Sequence, residues 1–397
     1  MPEQGAEPRG WVPVVALLVL APWAAECSWG GFAVSDYPLV ILFLGPLYGG
    51  AAVLIREFAR RTGAGWPAMV LLAAAFGIVQ AGLVDQALFN PGFLDDTEYA
   101  DLPPPSTLIP AFGFSAEEAF SYIGNHVLLS ICAPIMLVES TLKPARRHRP
   151  WLRRRGLLGI GALYLLGSLM IFMDDENGRK GFMLTPAQAA LAVTAVLILA
   201  GAAMLPRWRR AQRLRTGYVP HALLFGLLAL AVQLSLWFLP GWPGVAARVA
   251  AVIAAVVLVS IWSRRAGWTQ RHVVAGWSAG LIAAAAGAFF APAYRPASAL
   301  TAVLSDATVG VVTAVLVIGA YRFARKEVAR EEVAREEVAR EEVAREEVAR
   351  EEVAREEVAR KQEGRTQEVR TQEGRTQRAG MPRASTCRPR AERTDQN

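Results

Sequence analysis

The chain is short of lysine and of cysteine. Only four of its 42 basic residues are lysines (Lys143, Lys180, Lys326 and Lys361). The three cysteines, Cys27, Cys132 and Cys387, fall at the edge of an apolar run, inside another and in the tail. Cysteines so scattered define no disulfide framework and no zinc spacing. A phosphate-cradling glycine loop, a paired-histidine zinc signature and a nucleophile elbow are all absent. Nothing in the sequence therefore calls for a metal or a cofactor. Residues 322–397 have few large apolar side chains and cannot build a core of their own. Alternate loops between the apolar runs are nearly bare of Lys and Arg.

What is present is hydrophobic. Of 397 residues, 53% are hydrophobic and 19% charged, and the mean hydropathy is +0.28. Apolar runs of about 20 residues separated by short charged breaks mean bilayer spans, not a soluble core. The fold class is all-α: a polytopic transmembrane bundle with a charged, helical to disordered cytoplasmic tail. The runs predict ten helices near residues 11–28, 37–59, 66–88, 119–142, 156–173, 186–205, 219–239, 245–262, 272–291 and 301–320. The opening stretch "MPEQGAEPRG" carries one Arg against two Glu, and Glu26 breaks the lipoprotein-like "WAAEC". Residues 11–26 therefore read as a retained helix, not a cleaved signal.

Orientation follows from positive charge. Arg60 and Arg61 follow the second helix, and a cluster from Lys143 to Arg155 follows the fourth. Arg207 to Arg215 follow the sixth, and Arg264, Arg265 and Arg271 the eighth. The opposite loops include the acidic stretches "FLDDTEYADLPPPS" and "MDDENG". The even-numbered connections and both termini are thus expected in the cytoplasm of a bacterial cell, with the bundle in its inner (plasma) membrane. The net charge of +7 belongs to these loops. The partner it implies is the lipid bilayer, not nucleic acid, and no protein partner can be named. The Ala, Gly and Arg richness fits a GC-rich bacterial genome.

Four segments are expected: residues 1–145, holding helices one to four and the polar residues; 146–320, a scaffold of helices five to ten; 321–377, a pentapeptide-repeat tail; and 378–397, a disordered basic C-terminus. Pro46 and Pro134 interrupt helices two and four in mid-span, freeing carbonyls that lipid cannot satisfy. Interrupted spans point to substrate sites in transporters. Gly45, Gly49 and Gly50 let a neighbouring helix approach closely.

Charged and polar residues are costly in a span, about 2.5–3.5 kcal/mol for a central charge, so their positions inform. Glu26, Gln80, Asp85, Gln86, Asn90, Glu117, Glu118, Tyr122, Asn125 and His126 gather near the outer side of helices one to four. The spacing of Glu118, Tyr122, Asn125 and His126 places them on one face of helix four. With Gln80 and Asp85 on helix three, that face suits an outward-facing polar pocket for a small ligand, in a transporter-like protein. The same residues also suit polar glue between helices, and the sequence leaves both readings open. At the cytoplasmic edge, Arg56, Glu57 and Glu139 form candidate ion pairs: Arg56 with Glu139, and Glu57 with Arg60 or Arg61. A structural pair is favoured there over a gate.

The stretch from "LYGGAAVLIREFARRTGAGWP" through "GIVQAGLVDQALFNP" to "NHVLLSICAPIMLVE" resembles uncharacterised multipass membrane proteins of actinobacteria, a resemblance that implies no activity. A fainter one is to CPBP-type intramembrane proteases, which carry two adjacent glutamates, an Arg shortly after, and His and Asn on other helices. That resemblance implies a membrane-embedded hydrolase using Glu117, Glu118 and His126. Here, however, Tyr122 follows the glutamates and His126 shares their helix. A structural or regulatory membrane protein is the third class.

The tail repeats "KEVAR" once and "EEVAR" six times from Lys326 to Arg360, then degrades to "QEGRT" and "QEVRT". Each unit renews a favourable i, i+4 Glu–Arg pair. Five residues advance a helix by about 500°, so the valines spiral and give no coiled-coil seam. The expected object is a solvated helix about 50 Å long, then a disordered tail. It reads as tandem expansion of a short coding repeat; a rod that docks a partner is the alternative. Residues 361–397 carry nine basic and five acidic side chains, suited to contact with anionic lipid.

Overall fold

The computed structural model describes residues 10–101, 106–210, 214–292, 294 and 297–379. The expected disordered segment 378–397 lies almost wholly outside them. Beside short helices such as Pro144–Arg147, ten long ones are present among the described residues. They are α1 (Trp11–Cys27), α2 (Val34–Thr62), α3 (Gly65–Val84) and α4 (Ala116–Ser140), then α5 (Arg154–Met173), α6 (Pro186–Ala203), α7 (Ala222–Leu236), α8 (Gly241–Trp262), α9 (Gln270–Ala288) and α10 (Ala299–Ala379). Seven are long and apolar enough to cross a membrane, and α1 and α7 are shorter apolar helices. The one sheet among the described residues is a small antiparallel hairpin, β1 (Leu108–Ile109) with β2 (Phe114–Ser115), before α4.

Local signals set the boundaries. Ser115 Oγ accepts from the Glu118 amide and caps α4. Thr185 with Gln188, and Thr269 with His272, form capping boxes on α6 and α9. Gly63, with φ +71°, ends α2 in the left-handed conformation that glycine adopts freely.

Burial separates interior from periphery. In α2, α3 and α4, 50–56% of the apolar window is buried, against 11% in α5, α6 and α8. The interior is α1–α4, with α5, α6 and α9 packed around them. Exposed apolar side chains such as Leu158, Leu165, Leu197 and Val256 suit lipid contact. The interior helices pack through small residues, as membrane helices do. A Cβ on Gly49 would lie 2.4 Å from Leu18 Cα, so α1 crosses α2 nearly backbone to backbone. At Gly167, where α5 meets α2, a Cβ would lie 2.8 Å from the Leu47 amide.

The interior helices are not regular. Each has one widened, π-helical turn: Trp23–Cys27 in α1, Gly45–Gly49 in α2, Val79–Val84 in α3 and His126–Cys132 in α4. Proline accompanies three of them. Pro22 precedes the first, Pro46 lies inside the second and Pro134 follows the fourth by two residues. A proline ring clashes with the carbonyl four residues back, and a wide turn relieves the clash.

Odd-numbered connections meet at one end of the bundle. The Tyr294 amide donates to Gly31 O, Lys180 pairs with Asp96, and the Gly241 amide donates to Glu117. The even-numbered connections lie at the other, Arg-rich end, where Arg215 bridges Arg265 and Arg147 and Trp151 cover Arg56.

The chain divides after Val328 into two units, Met1–Val328 and Ala329–Asn397. The second, taken alone, is helical to Ala379. Helix thus persists through the degraded units, beyond the expected stop at Arg360, because Gln, Glu and Arg are good helix formers. Glu–Arg pairs at i, i+4 recur at 3.6–3.8 Å from Glu341 to Arg360. The valines from Val333 to Val358 are all exposed, so no seam forms.

Candidate functional site

The four wide turns lie toward the acidic end, and each brings a polar or aromatic residue to one group: Glu26, Tyr48, Gln80 and His126. The Tyr48 hydroxyl donates to Glu26 Oε1 at 2.5 Å, joining α1 to α2. The Tyr48 ring lies 5.8 Å from that of His126 and 6.1 Å from that of Phe76, and Phe76 and His126 are 5.4 Å apart. His126 Nδ1 shares a hydrogen bond with Ser130 Oγ at 3.0 Å, one turn along the widened segment. Gly77 makes this possible, because a Cβ there would lie 3.1 Å from His126 Cβ.

Gln80 and Asp85 form the second half. Gln80 Nε2 donates to Asp85 Oδ2 at 3.0 Å, and Asp85 Oδ1 accepts from the Ala87 amide at 3.0 Å. Gln86, the next residue, holds a left-handed φ of +61°, and its Oε1 accepts from the Leu184 amide at 2.9 Å. This strained position reverses the chain and fixes Asp85 at the end of α3. Gln80 is only 2% exposed, yet its Oε1 has no hydrogen-bond partner among the described residues. A buried acceptor without a donor costs about 1–3 kcal/mol.

Tyrosines surround the carboxylates. Tyr122, Tyr99 and Tyr294 are within electrostatic reach of Asp85 or of one another, and Tyr294 also of Glu26. Tyr294 makes edge contacts with Trp29 and Phe32, both at 5.2 Å. In the loops, burial and then Glu98 push Tyr99 up to about 12. Burial and then Glu26 push Tyr294 well above the ordinary phenol value. Both remain neutral hydrogen-bond donors. Glu26, Asp85 and His126 are half-buried, while Tyr48 and Gln80 form the sealed floor.

Of the residues singled out in the sequence, Gln80, Asp85, Tyr122 and His126 come together. Glu118 stands at the α4 N-terminus, within reach of Tyr122. Asn125 is exposed and lies off the group, since consecutive helical residues diverge by about 100° and the buried direction is that of Tyr122 and His126. Tyr48 was not foreseen, and Glu26 was noted only as a span-edge residue. Their signal is the proline near each: Pro22 four residues before Glu26, and Pro46 two before Tyr48. Glu117 is engaged elsewhere, by the Gly241 amide at 3.1 Å and Arg248 at 3.4 Å. The protease-like use of Glu117, Glu118 and His126 therefore finds no assembled site. Among the described residues, no group of three or more His, Cys, Asp and Glu could hold a metal ion.

At the Arg-rich end the ionic residues are fully satisfied. Arg56 Nε donates to Glu139 at 3.0 Å, one terminal nitrogen to Glu57 at 2.8 Å and the other to Arg147 O at 2.6 Å, with the guanidinium 3.5 Å over the Trp151 ring. Arg60 also binds Glu139, Arg61 binds Glu57 at 3.2 Å, and Glu57 accepts from the Trp151 amide at 2.7 Å. The expected pairs Arg56–Glu139 and Glu57–Arg61 both form, and the neighbours Arg56 and Glu57 pair with each other as well, which helix geometry alone did not lead one to expect. Both side chains are long enough to bend under the loop that closes over them. Arg56, Glu57 and Glu139 are completely buried, and Arg147 carries the network on to Glu327. With all three Arg56 guanidinium nitrogens and both oxygens of Glu57 and of Glu139 engaged, the cluster is built as a clamp.

Comparison with known proteins gives a family but no activity. The chain belongs to an uncharacterized membrane protein family, whose model matches residues 15–337. No curated protein and no solved structure matches it.

Proposed function

We propose that this membrane protein binds a small ligand at the polar group of α1–α4, reached from the outer face of the bacterial plasma membrane, in a transporter-like manner. The positive charge of the Arg-rich connections supports a cytoplasmic position for the opposite end. The observation that carries the reading is the unfilled Gln80 Oε1. Buried polar groups that only join helices are ordinarily satisfied, and this open acceptor belongs to the residue that binds Asp85. Four wide turns converging on one group point the same way, because such turns concentrate at functional sites and expose backbone that lines cavities.

The test is aqueous maleimide labelling from outside intact cells. Single cysteines replace Gln80, Tyr122 and His126 in a protein lacking the native three, with Asp96→Cys as a rim control. Labelling at all three positions is expected. Failure at all three with the control labelled would leave a dry interhelical contact and end the reading.

A further inference from the structure

The polar group holds two carboxylates and, among the described residues, no cation to answer them. Glu26 accepts from a phenol; Asp85 accepts from an amide side chain and a backbone N–H. The described basic residues at this end are already taken: Lys180 by Asp96, Arg179 by Asp175 and Arg248 by Glu117. Arg295 follows Tyr294 in sequence and lies outside the described residues. Of the other titratable groups facing the site only His126 can carry positive charge, and its Nδ1 is engaged by Ser130 Oγ at 3.0 Å. These groups are Cys27 on α1, Tyr48 on α2, Glu118, Tyr122 and His126 on α4, and Tyr99 and Tyr294 in the loops. A desolvated carboxylate without a counter-ion takes a proton or holds a bound cation. The tyrosines near the carboxylates, Tyr48, Tyr122 and Tyr294, favour one kind of cation, because phenol rings attract ammonium groups. The spare Gln80 Oε1 accepts from an N–H.

We propose that the ligand is a small organic ammonium ion, taken up in exchange for a proton held by Glu26 or Asp85. This rests on the ligand-site reading above. The exchange balances: the carboxyl O–H breaks, its proton leaves to water, and the carboxylate pairs with the entering ammonium. The charge of the site is unchanged, so the cation enters the bundle without an uncompensated charge. Release of the cation reverses the step and requires a proton.

The test uses the full chain in lipid nanodiscs, in weakly buffered solution near neutral pH. Tetramethylammonium and methylammonium chlorides are added, and released protons are followed with an indicator dye. About one proton per bound cation is expected, with binding tightening up to about tenfold per pH unit while the carboxyl stays protonated. Glu26→Gln and Asp85→Asn are examined separately, so that one misfolded variant does not decide the matter; at least one folded variant is expected to lose the proton release. A Gln80→Cys protein reports the site itself. If it is labelled by maleimide and protected by acetate but by neither ammonium ion, the cation class is wrong and the site stands. Cation binding without proton release overturns the exchange. If Gln80→Cys resists label while Asp96→Cys accepts it, the site reading fails, and this inference with it.

Discussion

Tyr48 on α2 donates its hydroxyl to Glu26 on α1 across 2.5 Å, and this bond ties two wide turns together. The same ring packs against Phe76 and His126, so Tyr48 touches all three of the other interior helices. It is the hub of the polar group, and its two contributions separate by mutation. Tyr48→Phe keeps the ring and removes the donor, and should cost about 1 kcal/mol of stability. Tyr48→Ala removes both and should cost about 3–5 kcal/mol. Thermal unfolding of the purified protein measures the difference; equal losses would show that the hydroxyl carries all of the contribution.

The close crossing of α1 and α2 makes a second prediction. Gly49→Ala drives a methyl group against the Leu18 backbone and should destabilise by about 1–3 kcal/mol, the range for overpacking. Gly124→Ala, where nothing lies within 4 Å of the new Cβ, should be neutral or slightly stabilising, since Ala favours helix. Unfolding midpoints measured side by side decide it.

At the Arg-rich end, Glu139→Ala strips Arg56 and Arg60 of their shared carboxylate while both stay buried. Breaking such a pair typically costs about 3–5 kcal/mol, so expression and detergent stability should fall sharply. Arg56→Lys should fail as well. One ammonium cannot serve Glu139, Glu57 and Arg147 O together while lying over Trp151. A lysine variant as stable as the parent would show that the fork geometry is unimportant.

The first repeat unit differs from the rest. Glu327 receives two hydrogen bonds from Arg147, and Val328 is buried, whereas Val333 and its successors are exposed. The family match also ends at residue 337, early in the repeat. A chain ending at Arg330 should therefore keep the melting temperature of the full protein. Glu327→Ala in the full chain should lower it by an amount equivalent to about 1–2 kcal/mol, less than for a sealed pair because Glu327 is 15% exposed. Destabilisation by the truncation alone would give the later units a structural role.

These residues also show how far the sequence could be read. The ten helices followed from apolar runs and charged breaks, because bilayer thickness imposes length on each span. Gly49 was legible as a contact, since a missing Cβ lets a neighbouring helix approach closely. The wide turns were not legible. A proline in a helix yields a kink, a wide turn or a plain bend, and the neighbours that choose among them, such as Leu18 beside Gly49, lie far away in sequence. Glu26 was named among the outer-side polar residues but not in the site, because its partner Tyr48 lies 22 residues on. Asn125 was included because its spacing from Glu118 fits one face. Spacing alone does not say which edge of that face turns inward, and the inward edge is that of Tyr122 and His126.

The most direct measurement is a high-resolution cryo-EM map of the full chain in lipid nanodiscs, examined at the Gln80 carboxamide. The account predicts wide turns at Trp23–Cys27, Gly45–Gly49, Val79–Val84 and His126–Cys132. It also predicts non-protein density, water or ligand, about 3 Å from Gln80 Oε1. Regular α-helical turns at these positions, with Gln80 Oε1 bound by a protein donor, would contradict it.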